Sequence, residues 1–252
     1  ALDPVDADTV YYGSQFVHRS RDRGETWEVI SPDLSTDREE WQRQDESGGL
    51  TPDVTDAENF CSILTIAPSP IDRDVIWVGT DDGRLHVTRD GGGSWTSVEE
   101  NLYGVPPNTW IPHVEASKHE AGAAFVVLDD HRRGDWTPYV FRTTDFGRSW
   151  TSLATDEIDG YVHVLEQDPV DPDLLFVGTE FGLFVSRDGG RSWFRWTHGL
   201  PNAPVRALVV QERESDLVIA TFGRAAYVID DIGALRATNA GEPGEALHLY
   251  PV

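Results

Sequence analysis

Short runs of β-branched and aromatic residues alternate along this chain with clusters of Gly, Asp, Ser and Thr, the pattern of short strands separated by tight turns. It is clearest in 174–193, LLFVGTEFGLFVSRDGGRSW. Residues 174–177 and 183–186 are apolar and β-prone, and Gly178-Thr179-Glu180-Phe181-Gly182 between them has the glycines a tight reversal needs, so a hairpin is predicted. A second turn follows at 186–193. There a hydroxyl and a carboxylate can accept backbone N–H bonds, glycines can take positive φ, and Trp193 can fold back as an apolar lid.

The second turn is a repeat. The pattern [Ser/Thr]-x-Asp-x-Gly-x-[Ser/Thr]-Trp also occurs at 20–27, 88–95 and 143–150, with Asp22 and Trp27, Asp90 and Trp95, Asp145 and Trp150 in the places of Asp188 and Trp193. A degenerate fifth copy stands at Asp231-Ile232-Gly233. Asp145, Asp188 and Asp231 recur at 43-residue steps, a blade-sized period, whereas the earlier steps are lengthened by inserted segments. The fold class this predicts is all-β: a β-propeller, or part of one, of about five four-stranded blades. The repeats fall at about 1–31, 60–99, 110–153, 160–197 and 204–235, in one propeller region spanning 1–252. Residues 32–59 are acidic and rich in turn formers and read as a surface insert, with a helical turn near 38–44. Residues 2–13 align with 167–178, so the first repeat lacks its innermost strand and the chain reads as cut from a longer propeller. The segment 247–250 is left either as an outer strand of the fifth blade or as the strand that closes a ring.

The four turns resemble the Asp-box, or BNR, repeat family, which includes sialidases, xyloglucanases and the sortilin-type propellers. GTEFGLFVSRDGG and TFGRAAYVIDDI resemble most closely long bacterial sortilin-like proteins that bear the glycosyl hydrolase label through their repeat content. The resemblance covers nearly the whole chain and implies fold more than activity.

Composition narrows the partners. A net charge of −24, with 44 acidic residues against 20 basic ones, leaves no basic stripe for nucleic acid. It also suits a salt-adapted source, and the protein is expected, as a separate matter, to be exported. No run approaches the ~20 apolar residues of a membrane span, which argues against membrane insertion. A single cysteine excludes an internal disulfide, and neither a metal site nor a cofactor is read from spacing.

The box aspartates and tryptophans read as hairpin staples and core, so chemistry is expected at the opposite end of the blades, in the loops between second and third strands and between blades. Ligand-binding candidates there are Gln15, Glu58, Trp110, His113, Arg132, Tyr161, His163, Phe181 and Arg224. Asp82, Asp130 and Glu180 are candidates for a carboxylate pair, with Asp81 beside Asp82; none is assigned a catalytic role. His113 and His163 hold similar places in successive repeats. The sialidase members of the family would require three arginines and a tyrosine–glutamate pair. Only Arg132, Arg133 and Arg224 lie on the expected face and spacing shows no such pair, so a sialidase is not assigned. Two functions follow as expectations: a non-catalytic module binding a peptide, protein or glycan on the loop face, completed by the remainder of a longer propeller, or a carbohydrate hydrolase using the loop carboxylates.

Overall fold

The computed structural model describes residues 1–42 and 60–237. Its strands form five antiparallel sheets, each made of sequence-consecutive strands in meander order. Two compact units divide them, Ala1–Ser152 and Leu153–Val252.

Unit 1 holds three sheets. The first, among the described residues, has three strands: β1 (Val10–Gly13), β2 (Val17–Ser20) and β3 (Glu28–Val29). The second is β4 (Ile63–Pro68), β5 (Ile76–Thr80), β6 (Leu85–Thr88) and β7 (Thr96–Ser97). The third is β8 (Trp110–Ala116), β9 (Ala124–Asp129), β10 (Tyr139–Thr143) and β11 (Thr151–Ser152). The helical turn expected in the insert is a single 3₁₀ turn at Glu39–Trp41. Two apolar layers bury the sheet faces. One gathers Tyr11, Val17, Leu34, Ile63, Ile76 and Val78; the other gathers Trp77, Leu85, Ile111, Val114, Val126 and Leu128.

Unit 2 holds a four-stranded sheet of β12 (Val162–Gln167), β13 (Leu175–Thr179), β14 (Gly182–Ser186) and β15 (Phe194–Trp196), and a three-stranded sheet of β16 (Val205–Gln211), β17 (Asp216–Thr221) and β18 (Ala226–Ile229). Phe176, Leu183 and Val185 pack on Val205, Leu208, Leu217 and Ile219 between them. The degenerate fifth turn does not lead to a strand among the described residues. Asp231, at φ +50°, instead caps the Gly233 N–H at 3.0 Å, and the short helix α1 (Gly233–Ala237) follows. The segment 247–250 lies outside the described residues, as does Glu58.

The four stapled turns share one set of bonds. In the first, the Ser20 hydroxyl donates to Asp22 Oδ1 at 2.7 Å and accepts the Gly24 N–H at 2.7 Å, while Asp22 accepts both the N–H and the hydroxyl of Thr26 at 2.8 and 2.6 Å. Asp90, Asp145 and Asp188 repeat these bonds to Ser94, Ser149 and Ser192. Donors on the ionised form favour it. Those from Thr26 and from Ser94 hold Asp22 and Asp90 down at about 2.

The tryptophans are less uniform than the sequence suggests. Trp95 and Trp193 donate their indole N–H to Ile30 and Leu153 carbonyls at 2.9 Å. Trp150 has no acceptor among the described residues and meets Trp77 edge-on at 6.0 Å. Trp27, predicted as core, is 47% exposed, and its indole N–H turns back to the Gly24 carbonyl of its own turn at 3.0 Å.

Gly178 also differs from its predicted role. It lies inside β13, and a Cβ there would come within 2.6 Å of Val205; a Cβ at Gly79 would likewise meet Ile111 at 2.5 Å. These glycines let the next inner strand cross closely rather than make the turn.

Candidate functional site

The inner strands open with a bulge at the same point in successive sheets. Register shifts fall between Ile63 and Thr65, Trp110 and His113, Val162 and Val164, and Val205 and Ala207. A bulge re-aims the residue it leaves unpaired. In unit 2 those residues are His163 and Arg206, at equivalent positions of β12 and β16.

Around them unit 2 assembles a polar chain. Glu180, in the turn between β13 and β14, accepts the Tyr161 hydroxyl at 3.0 Å and faces His163 Nε2 at 3.1 Å, both through Oε2. Arg206 approaches His163 Nδ1 at 3.2 Å. A guanidinium can only donate, so Nδ1 is the acceptor, the ring proton sits on Nε2, and Nε2 donates to Glu180. Tyr161 and His163 are buried and meet edge-to-face at 4.8 Å, whereas the Glu180 side chain is 27% exposed. Phe181 packs against Gly160, whose Cβ would be 2.7 Å from that ring. Spacing alone shows no tyrosine–glutamate pair; the bulge and the turn bring Tyr161 and Glu180 together.

Unit 1 gathers a different set. Trp41, Phe60 and Trp110 line a cleft of about 190 Å³ with Asn108, Asp129, Asp130, Arg132 and Arg133 on its rim. Phe60 stands 5.7 Å from Trp41 and 6.4 Å from Trp110, and Arg132 lies over the Trp110 ring. Among the carboxylates, Asp130 is bound by Arg133, and Asp129 holds His131 Nδ1 at 2.6 Å. Asp82 is fully buried and accepts the Thr80 hydroxyl on one oxygen and the Thr36 N–H, at 2.6 Å, on the other. Asp81 is buried against the Ser62 N–H at 2.8 Å, and loss of solvation raises it to about 7. His113 sits 3.8 Å from Glu115. Gln15 and Arg224 are exposed on their loops. Among the described residues no group of three or more His, Cys, Asp and Glu is placed to hold a metal ion.

Sequence reading missed Arg206, Trp41, Phe60 and Phe222. Arg206 has a signal: Pro204-Val205-Arg206 aligns with Tyr161-Val162-His163. Trp41 and Phe60 flank an acidic segment whose composition hides them.

This geometry belongs to the β-propeller fold class. No family model matches the chain. Over 97% of its length it is 24% identical to an oligoxyloglucan-reducing end-specific xyloglucanase of Emericella nidulans, of which it spans 23%. Among solved structures it resembles an ancestral GH74 enzyme, with a TM-score of 0.62 at 19% identity, covering 88% of this chain and 27% of that one. It also resembles the extracellular domain of a putative one-component system of B. thetaiotaomicron, with a TM-score of 0.58 at 17% identity, covering 91% and 26%. Likeness at these identities establishes the fold.

Proposed function

We propose that this chain is part of an exported, carbohydrate-active propeller of the Asp-box kind, a glycoside hydrolase acting on a neutral, xyloglucan-like polysaccharide. Unit 1 supplies a substrate-holding cleft. The observation that carries this reading is the cleft of Trp41, Phe60 and Trp110 rimmed by Arg132 and Asn108. Aromatic faces cover the apolar C–H faces of sugar rings, and the polar rim can bond their hydroxyls. The xyloglucanase relative, aligned along almost the whole chain, points to the same chemistry. Hydrolysis needs two carboxyl groups about 5 to 10 Å apart across the scissile bond. The remainder of the longer propeller is the source proposed for that pair.

The buried, fully bonded state of Asp82 and the ion pair of Asp130 favour a second reading, recognition of a glycan, peptide or protein without catalysis. One assay separates the two. Incubated with xyloglucan oligosaccharides, the full natural chain should release new reducing ends, and Trp110→Ala should slow that release by about tenfold or more, equivalent to the ~1.4 kcal/mol of one lost stacking contact. Binding without product would favour recognition alone. Neither binding nor product would remove the hydrolase reading and leave recognition of a different ligand.

A further inference from the structure

We propose that unit 2 carries a second site for a neutral sugar, in which Glu180 accepts a ligand hydroxyl, Arg206 donates to another, and Phe222 offers the stacking face. The inference rests on reading the propeller as carbohydrate-active, and on a count of hydrogen bonds. Glu180 Oε2 receives both Tyr161 and His163, and Oε1 accepts no bond among the described residues. Arg206 uses one N–H on His163 Nδ1 and is otherwise exposed, so most of its five donors are open.

His163 explains why this is not an ordinary ion pair. A glutamate and an arginine held only for stability would close on each other. Here a buried imidazole stands between them, bonded to both, and keeps the bonded atoms one ring and two hydrogen bonds apart, ~8.5 Å at most. Each charge is oriented from behind while its front stays unused. That is preorganisation for a ligand spanning the gap. Phe222, in the turn between β17 and β18, is 70% exposed, and the Arg206 guanidinium lies 5.7 Å from its ring centre. The Phe222 N–H is tied to the Pro204 carbonyl at 2.8 Å, which fixes that turn beside the bulge bearing Arg206.

The charge count selects the ligand class. One carboxylate and one guanidinium sum to zero, and a chain of net charge −24 repels anions at a distance. A neutral polyhydroxylated ring offers hydroxyl protons to Glu180, hydroxyl oxygens to Arg206 and a C–H face to Phe222.

The test is calorimetric titration of the full chain with cellobiose and with a xyloglucan heptasaccharide, for wild type, Glu180→Gln, Arg206→Gln, Phe222→Ala and Trp110→Ala. Gln keeps an oxygen for Tyr161 and His163 but replaces the open acceptor with a donor, and Phe222 is a surface residue, so both variants should keep the wild-type melting temperature. Each of the three unit 2 variants should weaken one class of sites by about fivefold or more, leaving the class sensitive to Trp110→Ala unchanged. Unit 2 variants that titrate like wild type, or no binding of either sugar, would overturn the inference. Sugar binding lost in Glu180→Gln without any hydrolysis by wild type would uphold the site and remove the enzyme reading. Hydrolysis and binding both indifferent to the three variants would do the reverse.

Discussion

Asp81 and Glu180 occupy the same place in two blades, and one is buried while the other reaches solvent. The loops read Gly79-Thr80-Asp81-Asp82-Gly83 and Gly178-Thr179-Glu180-Phe181-Gly182. In both, the backbone N–H of the acidic residue bonds a carbonyl at the start of the inner strand: Asp81 to Ser62 at 3.0 Å, Glu180 to Tyr161 at 3.2 Å. Beyond that the side-chain length decides. The aspartate folds back onto the Ser62 N–H and is buried, and its neighbour Asp82 turns inward to tie Thr36 and Thr80. The glutamate, one methylene longer, clears the backbone and reaches Tyr161 and His163 while keeping an oxygen toward solvent. One acidic loop is closed into the scaffold, and the other keeps a carboxylate partly open to solvent.

Substitutions should break the comparison in graded steps. The largest loss is expected for Asp82→Ala, which strands the Thr36 N–H, leaves the Thr80 hydroxyl only its longer bond to the Arg84 carbonyl, and should cost roughly 2 to 4 kcal/mol in urea unfolding. An intermediate effect follows from Asp81. Because its carboxyl is raised to about 7 when folded, against an ordinary 3.8, the folded state holds its proton where the unfolded state has released it. Stability should therefore fall as pH rises from about 4 to about 7 and level off above that. The box aspartates work in the opposite sense: held low by their turn donors, they contribute above about 4 and lose that contribution as pH falls toward 2. Asp81→Asn keeps an oxygen for Ser62, and should flatten the fall between pH 4 and 7 and raise stability at pH 8 by roughly 1 to 3 kcal/mol. Equal slopes in both proteins would show that Asp81 titrates normally. The smallest effect on stability is expected for Glu180→Gln, within about 0.5 kcal/mol, as for a partly exposed group whose bonds are kept.

The turns were legible in the sequence because their physics is local. Asp22, Asp90, Asp145 and Asp188 bond residues within four positions of themselves, so one motif specifies both contacts and repeat. The site residues were legible only singly. Glu180, Tyr161 and His163 stand out as polar groups on loops or strand starts, yet their meeting depends on a bulge, and a bulge leaves little trace in a run such as YVHVLEQ. Arg206 joins from the next sheet, 43 residues from His163. The glycines were misread for a related reason. Gly178 has its turn-forming partner nearby in sequence, but the group that forbids a Cβ there is Val205.

The claim that ligands meet the loops between second and third strands, and not the stapled turns, is tested most directly by hydrogen exchange of the full chain with and without a xyloglucan heptasaccharide. The expected result is slowed exchange in 178–182, 204–206 and 221–224 of unit 2 and around 108–110 and 131–134 of unit 1, with 143–150 and 186–193 unchanged. Protection confined to those turns, or spread evenly over both ends of the blades, would contradict it.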